Sequence, residues 1–136
     1  EIASCLVGSE MCIRDSANSP HLASSIKKES KNKIPLAPQI WDRITFDMGQ
    51  VVSHSKGTGK NADPSIQGVD VYGKTGTAEN SHGDDHAWFV GWADYKNKKY
   101  SIVILLENAG SGGAVAAPMA REVFSELILK NELAFK

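Results

Sequence analysis

Gly68-Val69-Asp70-Val71-Tyr72-Gly73-Lys74-Thr75-Gly76-Thr77 carries two incompatible meanings, and the choice between them decides the fold. Its first eight residues fit G-x-x-x-x-G-K-[ST], the phosphate-cradling P-loop. That loop needs a flexible turn between its glycines, so that backbone N–H groups wrap the phosphates, and a helix that starts at the lysine. Here the intervening residues are Val69, Asp70, Val71 and Tyr72, a set dominated by residues that prefer extended backbone. The residues that follow, Gly76-Thr77-Ala78-Glu79-Asn80-Ser81-His82-Gly83, have no helical period. Both flanks reject a nucleotide loop. The stretch reads as a strand over 68–77, with Val69, Val71, Thr75 and Thr77 on alternate positions.

Outward from that strand, Ala87–Ala93 is aromatic and β-branched, and Tyr100–Leu106 is a nearly continuous apolar run. The polar segment Asp94–Lys99 between them predicts an antiparallel hairpin. The unbroken apolar run predicts a central strand covered on both faces. After the Gly-rich break Asn108–Gly113, residues Ala116, Met119, Ala120, Val123, Phe124, Leu127 and Ile128 trace one face of a long helix. Upstream, Pro38 suits a first helical turn. Ile40, Ile44, Met48 and Val51 recur at helical spacing with Trp41 and Val52 beside them, which predicts a helix from Gln39 to Ser53. His54–Pro64 reads as a loop, Lys27–Lys33 as a charged connector and Pro20–Lys27 as a short strand. The fold class expected is α+β: an antiparallel sheet packed by a long C-terminal helix.

Bulk properties narrow the function classes. With 41% hydrophobic and 23% charged residues, the 136-residue chain belongs with globular domains and is one domain or a piece of one. A net charge of −1 gives no reason to expect nucleic acid or an anionic membrane surface as partner. No apolar run approaches the roughly 20 residues of a membrane span. The cysteines, Cys5 and Cys12, match no zinc or redox spacing. The chain opens on Glu1 rather than Met, and the string from Cys5 to Ser16 resembles one that recurs at the ends of translated assembly fragments. Residues 1–16 are therefore read as a non-native or disordered segment and kept out of the fold, leaving 17–136 as the domain piece.

The strand over 68–77 has a chemistry of its own. Thr75 and Thr77 lie two apart, so their hydroxyls face one way and together suit a substrate carboxylate. Lys74 supplies positive charge beside them, and Gly76 leaves the backbone open to close approach. The strand's N–H groups suit an extended peptide bound as an added strand. The N–H of Thr77 is placed to help hold the oxyanion of an acyl-transfer intermediate. Gly73-Lys74-Thr75-Gly76-Thr77 thus matches the K-T-G element of the active-site serine enzymes that bind penicillin.

From about Pro20 to Lys136 the chain resembles the C-terminal part of a class B penicillin-binding protein, nearest to the elongation type, penicillin-binding protein 2. Four passages carry the likeness, in order and spacing. These are Met48-Gly49-Gln50-Val51-Val52 followed by Gly57-Thr58-Gly59; Gly73-Lys74-Thr75-Gly76-Thr77-Ala78-Glu79; His86-Ala87-Trp88-Phe89-Val90-Gly91-Trp92; and Glu107-Asn108-Ala109-Gly110-Ser111-Gly112-Gly113 followed by Ala116-Ala117-Pro118. The resemblance implies the serine-β-lactamase and penicillin-binding transpeptidase fold, in part. It implies a D,D-transpeptidase in which a serine attacks the D-Ala-D-Ala bond of a stem peptide and a second stem peptide takes the acyl group. Lys74, Thr75, Gly76 and Thr77 would bind the carboxylate of substrate or β-lactam. No cofactor and no metal are implied. Partners would be stem peptides, β-lactams and cell-wall elongation proteins, with the parent anchored in the bacterial cytoplasmic membrane and this domain on its outer, periplasmic side.

Departures from the family pattern temper that picture. The family's S-x-x-K nucleophile precedes an S-x-N element, which precedes K-T-G. Here Ser24-Ser25-Ile26-Lys27 and Ser25-Ile26-Lys27-Lys28 fit S-x-x-K, but Ser16-Ala17-Asn18, which fits S-x-N, comes before them, and the two elements are too close together. They are rejected, and the chain is expected to be a fragment without the nucleophile. A non-catalytic homologue or sensor that binds β-lactam or peptidoglycan is the alternative. The cluster His82, Asp84, Asp85 and His86 has metal-ligand types but reads as a solvated loop. Trp88 and Trp92 read as packing residues on one strand face. Gly110–Gly113 reads as a flexible lead into the helix rather than an anion site. His21 and His54 have no identifiable partner in sequence.

In the family sheet a strand from the domain's N-terminal part flanks the equivalent of Tyr100–Leu106, so this chain alone should expose an apolar strand edge. The isolated chain is expected to be poorly soluble and to take no covalent label from a fluorescent penicillin. An acyl adduct mapped to any serine of this sequence would overturn that expectation.

Overall fold

A computed structural model describes residues 16–18, 30–33 and 35–133, and the chain divides into two units, residues 1–44 and 45–136. In the first, strand β1 (Ser16–Asn18) pairs antiparallel with β2 (Ser30–Lys33), the register slipping between Ala17 and Asn18. Part of the expected Lys27–Lys33 connector is therefore strand. The expected strand Pro20–Lys27, the look-alike serines Ser24 and Ser25, His21 and both cysteines lie outside the described residues.

Helix α1 (Pro38–Ser53) runs from the first unit into the second. Pro38 occupies its first turn, where a missing N–H costs nothing, and the Ala37 carbonyl accepts from the N–H of Ile40 at 2.9 Å. The apolar stripe is less buried than its period suggested. Val52 is buried, Met48 and Val51 are half-buried, and Ile40 and Ile44 are exposed. A short 3₁₀ turn, Lys60–Ala62, interrupts the expected loop and buries Ala62 completely.

The second unit is built on a three-stranded antiparallel sheet in the order β3-β4-β5: β3 (Val69–Ala78), β4 (His86–Tyr95) and β5 (Lys98–Leu106). The six-residue turn read from polarity contracts to two residues. Lys96 and Asn97 have φ of +47° and +63°, the conformation of a tight two-residue hairpin whose twist matches its strands. Asp94 and Lys99 instead face one another across the ladder as a register pair, with the Lys99 ammonium 2.7 Å from both Asp94 oxygens.

β5 corrects a second expectation. Its burial alternates: Ile104 is buried, while Val103 and Leu105 stand 48% and 42% exposed. It lies at one edge of the sheet and is covered on one face only among the described residues. A continuous apolar run does not distinguish this from a central strand when the outward positions are also β-branched or leucine.

Helix α2 (Ala117–Leu133) follows a π-helical turn, Gly112–Ala116, and covers the inner face of the sheet. Its buried residues are Ala120, Phe124 and Ile128, continuing from Ala116 at a strict spacing of four, with Ala117 beside them. Met119, expected on that face, is 44% exposed. The alanines let the helix approach closely, so the contact stripe is narrow.

The centre of this core is Phe89. It is fully buried, and its ring lies across a pair of glycines that are register partners, Gly73 and Gly91. A Cβ on Gly73 would come within 2.4 Å of the Phe89 ring, and one on Gly91 within 2.3 Å of the Tyr72 carbonyl oxygen. Gly73 is small because an aromatic ring occupies its side-chain space, an arrangement that also restores the contacts a strand glycine lacks. On the opposite face Tyr72 stacks on its register partner Trp92 at 4.9 Å, so Trp92 is the packing residue expected. Burial, then the Asp70 and Asp94 carboxylates, raise the Tyr72 phenol above its ordinary pKa.

Phe89→Ala is expected to cost about 3–5 kcal/mol, the range for truncating a buried aromatic, read as a lowered denaturant midpoint. Gly73→Ala is expected to destabilise without removing any contact, because the ring has nowhere to retreat.

Candidate functional site

β3 carries Lys74, Thr75, Gly76 and Thr77 at an edge of the sheet, with β4 on one side and no strand on the other among the described residues. The pleat puts Thr75 and Thr77 on one face, as their spacing predicted. Thr75 is 9% exposed, whereas Thr77 is open to solvent. Lys74 falls on the opposite face. It is exposed, and its ammonium donates to the Thr75 carbonyl at 2.5 Å. The charge therefore sits against the backbone of the threonine strand and not on the hydroxyl face itself.

Two segments distant in sequence close over the hydroxyls. The first is Gly57-Thr58-Gly59, where the chain folds back onto the end of α1. The Gly59 N–H donates to the Val51 carbonyl at 3.0 Å, and a Cβ on Gly57 would meet that oxygen at 2.2 Å. This turn presents Thr58, whose Oγ1 accepts from the Thr75 hydroxyl at 2.8 Å. The second segment is the lead-in to α2. The Gly112 N–H donates to Thr77 Oγ1 at 3.3 Å, and the Asn61 side-chain amide donates to the Gly113 carbonyl at 3.2 Å. Gly112 lies so close to the β3–β4 ladder that a Cβ on it would be 2.2 Å from the Gly76 carbonyl and 2.4 Å from that of Trp88. The close approach expected at Gly76 is thus made, in this structure, by Gly112.

The lead-in 108–113 is pinned rather than free. The Asp85 carbonyl accepts from the N–H groups of Ala109 and Gly110 at 3.0 and 2.8 Å, and Asn108, at φ +52°, accepts on its side-chain oxygen from Asn80 at 2.6 Å. His86 Nδ1 accepts from the Asn108 N–H at 3.0 Å. These bonds employ the His82–His86 loop in holding two loops together. No group of three or more His, Cys, Asp or Glu among the described residues is arranged to hold a metal ion. His54, without a partner in sequence, accepts from the Lys56 N–H on its Nδ1 at 3.1 Å.

Sequence reasoning found the threonine strand but missed Thr58, Gly112 and Asn61 as its neighbours. Their only sequence signal was small residues, Gly57, Gly59, Gly112 and Gly113, at points where backbones must touch.

The penicillin-binding protein transpeptidase domain matches residues 12–125, and the chain belongs to that family. Over 131 residues it is 35% identical to the peptidoglycan D,D-transpeptidase MrdA of Haemophilus influenzae, covering 78% of this chain and 20% of that protein. Among solved structures it resembles Pseudomonas aeruginosa PBP2 in complex with WCK 5153, at 34% identity and a TM-score of 0.60 over 71% of this chain and 21% of that one. It also resembles the imipenem acyl-enzyme of penicillin-binding protein A from M. tuberculosis, at 25% identity and a TM-score of 0.68 over 93% of this chain and 30% of that one. The chain spans about a fifth of the length of the curated relatives it matches.

Gly112→Ala is expected to force the α2 lead-in away from β3 and to cost about 1–3 kcal/mol, the usual range for overpacking. The check is a thermal melt of the variant against the parent protein.

Proposed function

We propose that this chain supplies the carboxylate-binding wall of a peptidoglycan D,D-transpeptidase. The observation that carries the reading is the pair of threonine hydroxyls on one face of an open-edged strand. Thr77 Oγ1 already accepts from the Gly112 N–H, so its own proton is left for a ligand. Thr75 has one proton, which can turn from Thr58 to a ligand. A carboxylate accepts only, which matches two hydroxyls with donors to spend. Lys74 adds positive charge from the other side of the strand, and Gly76 puts no side chain between the backbone and a ligand.

In this reading the stem peptide lies along the free edge of β3 as an added strand, its terminal carboxylate on Thr75 and Thr77. The scissile carbonyl then reaches the N–H of Thr77, which stabilises negative charge as it develops on that oxygen. A serine hydroxyl attacks the carbonyl carbon, D-Ala leaves with a proton, and the amine of a second stem peptide displaces the serine oxygen. A β-lactam ring opens at the same serine. We place that serine outside this sequence. Ser16–Asn18, the S-x-N look-alike, is strand β1, the Ser24 and Ser25 motifs stand in the wrong order, and the matched relatives are about five times longer. Residues 17–136 are the domain piece in this proposal. The likeness to MrdA further supports a role in cell elongation with elongation proteins as partners, and a parent anchored in the membrane. No helix of the described residues is long and apolar enough to cross one.

The test is acylation of the protein that contains this domain by a fluorescent penicillin. Thr77→Val is expected to lower the second-order acylation constant about ten- to a hundredfold, the value of a hydrogen bond to a charged group at roughly 1.5–3 kcal/mol. Unchanged acylation in that variant would remove the Thr77 hydroxyl from the carboxylate site.

A further inference from the structure

The Thr75 hydroxyl has one proton, nine-tenths of its residue is buried, and its oxygen lies within hydrogen-bond distance of Thr58 Oγ1, 2.8 Å away. If Thr75 is to bind a carboxylate, the proton must rotate to it, because a carboxylate has none to give. The Thr75 oxygen would then face Thr58 as an acceptor. Two hydroxyls at this distance can exchange direction, since each is both donor and acceptor. We propose that Thr58 is a positioning residue of the carboxylate site: its hydroxyl is paired with that of Thr75 and donates to it once the Thr75 proton turns to a bound carboxylate.

Three observations support the relay. Thr58 is held in place by its backbone, through the Gly59-to-Val51 bond and the Gly57 N–H, which donates to the His54 carbonyl at 2.8 Å. Its carbonyl lies against Gly113, where a Cβ would approach to 2.5 Å, which fixes the turn from the α2 side as well. Thr58 is itself exposed at the surface of the site, so its proton has water to meet whenever it is not directed at Thr75. Reversal therefore loses no hydrogen bond. The chain that results, from Thr58 to Thr75 to carboxylate, ends on a full negative charge, which polarises and strengthens each link.

The inference rests on the transpeptidase reading and makes Thr58 act through Thr75, not on the ligand. It also separates binding from chemistry. The carboxylate is bound equally before and during acylation, so loss of the relay must weaken the first complex and leave the chemical step alone.

The experiment measures the pre-acylation dissociation constant and the limiting acylation rate of the whole transpeptidase with benzylpenicillin by stopped flow. Thr58→Val is expected to raise the dissociation constant about three- to tenfold, the value of one net hydrogen bond, with the limiting rate within about twofold. Thr58→Ser should rescue it. Thr58→Ala should reproduce the valine result, so that the outcome does not depend on one variant folding. In a Thr75→Val background, Thr58→Val should add nothing. An unchanged dissociation constant, a loss confined to the limiting rate, or full additivity with Thr75→Val would overturn the relay. If the unsubstituted protein is not acylated at all, the transpeptidase reading fails and the relay with it, whereas acylation that ignores Thr58 defeats the relay alone.

Discussion

The ring of Phe89 lying across Gly73 and Gly91 is the contact on which the second unit depends. It belongs to a register pair with Thr75 and occupies the space that two other side chains on the inner face would have filled. Because sheet side chains alternate with a period of two, a slip of one residue between β3 and β4 would turn every inner residue outward. The glycine pair and the ring admit one register only. That register sets Thr75 and Thr77 beyond the ring on the inner face and sends Lys74 outward. The glycine that begins the Gly73-Lys74-Thr75 signature is thus explained by packing, and phosphate chemistry is not needed to account for it.

Much of this was legible in sequence because it is local. Alternation over 68–77 and 87–93 gave the strands to within two residues, and the spacing of Thr75 and Thr77 gave their common face. The failures have physical causes. The hairpin turn was read from polarity, but Asp94 and Lys99 are polar because they pair on an exposed face, and Lys96 adopts positive φ with no glycine to announce it. β5 was read as central because Val103 and Leu105 are apolar, and exposure of apolar residues leaves no mark on periodicity. Met119 was placed on the buried face because it lies three residues after Ala116, but the small radius of Ala116 and Ala120 narrows the stripe that touches the sheet to the row at spacing four.

The site was legible only in half. Its hydroxyl strand is contiguous, but its other walls come from 17 and 35 residues away, as the Thr75–Thr58 and Gly112–Thr77 bonds show. Nothing local in Gly57-Thr58-Gly59 specifies a partner. What the sequence did carry was backbone permissiveness. Small residues recur where one chain segment must pass within contact distance of another, and Gly112 against Gly76 is the clearest case. A cluster of glycines away from turns is therefore better read as a crossing of backbones than as flexibility, as the pinned lead-in to α2 demonstrates.

The two threonine hydroxyls are engaged in different ways, and the difference is chemical. Thr77 accepts on its oxygen from a backbone N–H that cannot reverse, so its own proton is left to donate. Thr75 is engaged by another hydroxyl, which can reverse, so it donates wherever the stronger acceptor lies. A neutral ligand with its own proton would meet one fixed donor and one reversible one, and would gain little over water. In the proposed site an anion would turn both protons toward itself and draw the Thr58 proton in behind them. In the proposed site, selectivity would rest on hydrogen-bond donation as well as on charge. Discrimination of this kind does not require Lys74 on the same face: its ammonium can act through the Thr75 carbonyl and the strand while the hydroxyls do the direct bonding.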